Sequence, residues 1–282
     1  MRIRVPAASK LKVGRPKVTG KGAENRLNRA LIVETALALI DRDGLETFSV
    51  RKLAKALDVF PTAVYWHIGD RNTLLSDVVT LVLGELAPKR APGRWQDWIR
   101  QLLVRYRAII RQHPNVAPLI GVQLVSNGSL DFHLVESILE CLAGAGFKGQ
   151  RLIDAYNVVM GGMVGFTTQE FASVPAEGTE GWKKTMRRAI AAVDREAYPR
   201  VAAHLGAMTN RAFLLRWENG VSAPLDAGFA MFADALIAGI AALVKGKAKA
   251  SVRASIKASV KPKRAPAKPQ ARRRRAAKGS GR

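Results

Sequence analysis

The chain has one cysteine, Cys141, in 282 residues. An internal disulfide is therefore impossible and a metal site built on cysteines is excluded. Within "VESILECLAGAGF" the residue falls on an apolar helical face, where a free cysteine is expected to be a small buried hydrophobe. Aromatic residues are scarce at 6%, so a cluster of them demands a reason. Acidic residues are missing from both ends: residues 1–22 hold seven Lys/Arg and no acid, and residues 245–282 hold fifteen and no acid. The stretch between them carries 24 basic and 22 acidic residues, so nearly all of the +24 net charge sits in the two ends. Cationic ends of this kind attract polyanions, nucleic acid or an anionic membrane surface, by releasing condensed counterions. No apolar run of signal-peptide length opens the sequence. The longest apolar run, "FAMFADALIAGIAALV" at 229–244, has sixteen residues with Asp234 inside, against the roughly 20 of a membrane span. It is expected to be a buried helix of a cytoplasmic protein with no membrane partner. Paired carboxylates, a nucleophile with its base, and a phosphate-cradling loop are all absent from the sequence. No enzyme activity, cofactor or metal is expected.

What is present is helical periodicity without convincing strand alternation, which sets the fold class as all-α. Ile32, Ala36, Leu39 and Ile40 recur at helical spacing across 24–42, and "DRDG" stops the pattern at Gly44. Ser49 suits the N-cap of a short helix, "VRKLAKAL", with Leu53, Ala54 and Leu57 inside. A third helix begins near Pro61 with Val64 and Ile68 facing in. A fourth runs from about Asp70 to Pro88. After a Pro- and Gly-rich linker at 87–93 the pattern predicts helices at about 95–112, 115–122, 129–144, 148–172, 182–195, 199–218 and 225–245, with a mobile loop at 173–181. The predicted organisation is a basic disordered arm at 1–22, a three-helix helix-turn-helix domain at 23–86, a helical domain at 94–245, and a disordered basic tail at 246–282.

Two short helices joined by a tight turn at 57–61 and buttressed by a longer helix outline a helix-turn-helix. The residues on the third helix strengthen that outline. With Val64 and Ile68 inside, "FPTAVYWH" must place Thr62, Ala63, Tyr65, Trp66 and His67 on outer or flanking faces. Tyrosine, indole and imidazole are donors on rigid stems suited to phosphate oxygens, while Thr62 and Ala63 let a helix sit deep in a major groove. Tyr65 is the foremost phosphate candidate. Trp66 is expected to pack at least partly on neighbouring helices, with phosphate contact secondary. Arg51, one turn into the second helix, can reach a base edge or phosphate. Arg71, beside exposed amides at the start of the fourth helix, can face a phosphate.

The segment "SVRKLAKALDVFPTAVYWHIGDRNTLL" resembles the DNA-binding domain of TetR-family bacterial regulators, and its "YWH" resembles the tetracycline-repressor branch in particular. "YRAIIRQHPNVAPLIG" (106–121), "AGF" (145–147) and "FAMFADALIAGIAAL" (229–243) resemble that branch's C-terminal domain, so the likeness covers roughly 24–245. It implies a homodimeric, ligand-responsive DNA-binding regulator, most often a repressor, on a palindromic operator. It also implies DNA contacts at Arg51, Pro61, Thr62, Ala63, Tyr65, Trp66, His67 and Arg71. There are departures. Asp58 stands where many members have Gly, a substitution eased by the tolerance of Asp for the left-handed region. Phe60 and Pro61 replace polar residues common in the family. Ile120 stands where tetracycline repressors hold magnesium with a histidine, which argues against magnesium-tetracycline as the effector.

The resemblance further implies a four-helix dimer interface from about 148–172 and 225–245. Gly161, Gly162, Gly165 and Gly239 in those helices fit close helix approach, and the Gly161-Gly162 pair equally fits a kink. Trp98, Leu102, Tyr106, Met160, Met163 and Phe166 are spaced to line a pocket for an unknown small-molecule effector. Arg15, in "VGRPKV", has the Gly-Arg-Pro setting of arms that enter an A·T minor groove. The C-terminal tail, with "RRRR" at 272–275, should add sequence-blind DNA affinity, placing the protein on the nucleoid. The alternative is a nucleoid-associated architectural protein dominated by those tails.

Overall fold

A computed structural model describes residues 27–84, 86–89, 93–120, 132–172 and 179–244. Arg15, both basic ends and most of the 173–181 segment lie outside the described residues. Ten α-helices, a 3-10 turn and helical residues 117–120 account for the described regular structure, with no strand among the described residues.

The first four helices are set by their end residues. α1, Arg29–Asp43, starts where the Asn28 side chain accepts the Leu31 N–H, and stops at Gly44, whose φ of 83° lies in the region that favours glycine. α2, Val50–Leu57, is capped as expected by Ser49, which accepts from Lys52 N. Asp58 ends it in the left-handed conformation at φ 57°, and its N–H returns to the carbonyls of Ala54 and Lys55. α3, Pro61–Ile68, opens on proline, buries Val64 and Ile68, and ends at Gly69. α4, Arg71–Leu83, is capped by Asp70 and stops five residues before Pro88, because Gly84 leaves the helical region. Asp70 accepts the Thr73 N–H, and that backbone hydrogen bond holds its carboxyl below the usual carboxylate range. Leu53, Val64, Leu74 and Val78, all fully buried, close the small core beneath α1.

α5, Trp95–Gln112, is the central element of the rest. It buries Ile99, Leu102, Leu103, Tyr106 and Ile110 and contacts α6, Phe132–Ala145, α7, Gln150–Glu170, and α10, Asp226–Val244. His113 ends it, and a 3-10 turn, Pro114–Val116, leads into helical residues 117–120. α8, Thr179–Ala191, begins three residues earlier than expected. The long helix expected at 199–218 is corrected: α9, Pro199–Met208, ends after ten residues. Asn210 then turns left-handed at φ 56°. Its Oδ1 accepts the N–H groups of Trp217 and Glu218, giving the chain a local alternative to helix.

The turn carried by Asn210 leads to a buried ionic cluster. Glu170, fully buried, accepts from Arg107 Nε and Nη2 at 2.7 and 2.6 Å and from the Leu225 N–H at 2.8 Å. Arg107 also reaches Asp226 at 2.7 Å and lies 4.6 Å above the Phe229 ring. The hydrogen bonds to Glu170, foremost, raise the guanidinium pKa further. Gly220 is required here: a Cβ on it would stand 2.6 Å from Glu170 Cγ. The expectation that 229–244 is a buried helix is also corrected. α10 is long and apolar enough to cross a membrane, yet only 22% of its most apolar window is buried. Its inner face, Phe229, Ala233, Ile237 and Ile240, packs within the chain, and Asp234 on the other side pairs with Arg100 at 2.6 Å.

Candidate nucleic-acid interface

The short helix α3 is held from behind. Val64 and Ile68 anchor α3, and Arg29 on α1 donates to the His67 carbonyl at 3.2 Å, one of the free carbonyls at the helix end. The same guanidinium pairs with Asp77 of α4 at 2.7 Å, so one side chain ties three helices together. Nothing in sequence spacing marks Arg29 for this task.

The outer face carries the expected side chains. Thr62, Tyr65, Trp66, Arg51 and Arg71 are exposed, and Pro61, Ala63 and His67 are half-buried. Trp66 corrects the expectation of packing: it is 84% exposed and touches the edge of the His67 ring, 5.1 Å between centroids. The reason is angular. Residues 62 and 66 stack one turn apart, opposite Val64 and Ile68, so the indole has no neighbouring helix to lie on. Phe60, just before the helix, is 74% exposed. Two large apolar rings and a tyrosine thus stand in water, as do the cations Arg51, Lys52 and Lys55 of α2. Such a surface can present an indole and a phenol to phosphates while its small first turn enters a groove.

The six candidate effector contacts occupy different settings. Leu102, Tyr106 and Met163 are fully buried. The Tyr106 hydroxyl has no hydrogen-bond partner among the described residues, and burial pushes its pKa far above the usual phenol value. Met160 packs half-buried against the same core. Phe166 stacks on Phe232 with centroids 5.0 Å apart and meets Phe213 and Phe229 edge-on. Trp98 lies apart, in a groove of about 1380 Å³ between the 87–89 connector, α5 and α6, with Trp95, His133 and Cys141. Its indole N–H donates to the Pro88 carbonyl at 3.2 Å. Cys141 is half-buried there, with its Sγ 3.7 Å from the Trp95 carbonyl, and burial pushes the thiol up to about 11. Ile120 is buried, and no group of three or more metal-ligating side chains occurs among the described residues.

Sequence reasoning also missed a polar join between α1 and the turn after α5. His113 Nδ1 lies 2.8 Å from Asp41 Oδ2, and Asn115 Nδ2 donates to the carbonyls of Ile40 and Asp41 at 3.1 Å each. His113 reads in sequence only as a helix stop.

A short exposed helix set by a tight turn on two supporting helices, above a larger helical body, defines a helix-turn-helix regulator. Comparison with known proteins agrees. Residues 87–244, more than half the chain, match the family described as tetracyclin repressor-like, C-terminal domain. An HTH-type transcriptional regulator of Saccharopolyspora erythraea is 30% identical over 145 residues, covering 51% of this chain and 61% of that protein. The class E tetracycline repressor protein of Escherichia coli is 30% identical over 132 residues, covering 45% of this chain and 61% of that protein. The matches thus span about three-fifths of those relatives' lengths. A possible TetR family transcriptional regulator from Streptomyces coelicolor A3(2) superposes with a TM-score of 0.60 at 25% identity, covering 77% of this chain and 100% of that one. The fold is also that of ActR from Streptomyces coelicolor in complex with actinorhodin, with a TM-score of 0.59 at 22% identity over 77% and 96% of the two chains. The chain belongs to the TetR family of transcriptional regulators.

Proposed function

We propose that this regulator is a ligand-responsive repressor that binds a palindromic operator as a homodimer, with residues 23–86 as the DNA-reading unit and 94–245 as the sensing and dimerising unit. The observation that carries the proposal is the outward face of α3: Thr62, Tyr65 and Trp66 stand in water although the helix is anchored by Val64 and Ile68. Arg51, Pro61, Ala63, His67 and Arg71 complete the contact set, and Arg15 extends it into a minor groove. The named relatives are regulators, including a tetracycline repressor. The architectural reading rests on the basic ends alone.

The homodimer is supported by the uncovered side of α10, where Ala227, Ala230, Met231, Ala235, Ala238 and Gly239 are exposed. Met231 is 74% exposed, a poor use of a large apolar side chain in a lone protomer. On α7 the positions of Gly161 and Gly165 open onto free space, whereas Gly162 admits the Phe232 ring, 3.1 Å from where a Cβ would stand. Pairing α7 and α10 with their two-fold copies covers this face and sets two α3 helices to enter successive major grooves about 34–36 Å apart.

Effector sensing is supported by the buried Tyr106 hydroxyl, which has no hydrogen-bond partner among the described residues, since an unmet buried hydroxyl costs about 1–3 kcal/mol that an accepting ligand restores. An effector that fits only the protomer arrangement with misplaced α3 helices lowers operator affinity by its preference for that state. The test is selection of binding sites from random duplexes, followed by binding of variants. Tyr65→Phe weakens all sequences by a similar factor, and Arg51→Ala relaxes preference at one position per half-site. Equal effects of the two changes across all operator variants refute base reading by Arg51. Absence of any selected consensus refutes the operator reading as a whole.

A further inference from the structure

The end of a recognition helix that meets base edges is its amino-terminal turn. Here that end is almost without hydrogen-bonding side chains: it consists of Phe60, Pro61, Thr62 and Ala63. Pro61 and Ala63 are half-buried, and Ala63 packs against the core. Phe60 and Thr62 are the exposed pair.

Neither local stability nor packing accounts for Phe60. It occupies the N-cap of α3, where Ser, Thr, Asp or Asn would satisfy a free amide, and it supplies no side-chain cap. Its ring is 74% exposed, so it contributes little to the core. Its backbone is extended at φ −74° and ψ 146°, which sets the residue ahead of the first helical turn. A lone exposed phenylalanine would be ordinary, but a second large ring, Trp66 at 84% exposure, stands in water six residues further on. The apolar feature on a base edge in the major groove is the C5-methyl group of thymine.

We propose that Phe60 reads a thymine methyl, one in each half-site, and that this chain therefore selects A·T pairs at that position by apolar contact instead of by a bidentate hydrogen bond. The inference rests on the operator-binding role given above. Arg51 on α2 is left as the reader of a neighbouring guanine or phosphate.

Deoxyuridine tests this directly, because it keeps the thymine O4 acceptor and lacks the methyl. In the operator selected with the full-length protein, each thymine is replaced by deoxyuridine in symmetry-related pairs, and binding is measured with excess competitor DNA to suppress tail-driven association. One symmetric pair is expected to weaken wild-type binding about 4-fold per methyl, or about 15-fold for the pair. Phe60→Ala is expected to bind the thymine and deoxyuridine operators equally, and Phe60→Leu to keep most of the difference. Equal wild-type affinity for thymine and deoxyuridine at every position overturns the proposal without touching the regulator reading, and needs no variant to fold. A methyl effect that survives unchanged in Phe60→Ala overturns it too. A selection with no consensus overturns the operator role and this inference together.

Discussion

Removal of Glu170 should damage the protein far more than removal of the other carboxylate on Arg107. Glu170 is fully buried and takes two hydrogen bonds from Arg107, whose side chain is only 13% exposed, while Asp226 is 66% exposed. Breaking a buried pair from one side costs about 3–5 kcal/mol because a charge is left uncompensated. Arg107 keeps Asp226 in Glu170→Leu, which argues for the lower end, about 3 kcal/mol. Loss of the acceptor for the Leu225 N–H adds about 1 kcal/mol. The sum, about 4 kcal/mol, corresponds to a fall in Tm of roughly 8–16 °C for a folded region of this size. Asp226→Asn should cost under about 1 kcal/mol. The double variant Arg107→Met with Glu170→Leu should be more stable than Glu170→Leu alone, because the Arg107 charge is no longer left short of its buried partner. Urea and thermal unfolding followed by circular dichroism, at one protomer concentration for all variants, measure these differences. A Glu170→Leu protein within about 2 °C of Asp226→Asn in Tm, a shift worth under about 1 kcal/mol, would refute the reasoning. A double variant no better than the sum of its parts would do the same.

Asn115→Ala should cost about 1–2 kcal/mol by freeing the carbonyls of Ile40 and Asp41. Amide exchange should quicken at the end of α1, at Gly44 above all, whose N–H bonds to Ile40; unchanged exchange there would contradict the join. Cys141 should resist alkylation at neutral pH, because burial raises its thiol to about 11 and disfavours the thiolate. Its alkylation rate should climb about tenfold per pH unit through pH 10 and level off near 11, whereas a plateau beginning near pH 9 would show an unburied thiol.

Helix ends near the amino terminus were legible because each is fixed by a local residue: Gly44, Ser49, Asp58, Pro61 and Asp70 act within three or four positions of themselves. The 199–218 segment was not legible, because its apolar periodicity continues past Thr209 while Asn210 bonds across to residues 217 and 218. The inward anchors of α3 followed from periodicity, but the exposure of Trp66 did not, since hydropathy favours burying an indole and only the surrounding helices decide whether anything covers it. Arg29, Asn115 and the Arg107–Glu170 pair join residues 38 to 75 positions apart. No periodic pattern registers contacts of that range.

α5 is fastened to the four-helix head along its length and past its end. Trp98 and Arg105 hold the backbone oxygens of Pro88 and Ala87, just beyond α4, and past the far end His113 and Asn115 hold the last turn of α1. The helix between is about 27 Å long. Such a splint, fastened at separated points, should tilt the whole four-helix head as one piece when pushed on its flank, instead of loosening a single joint.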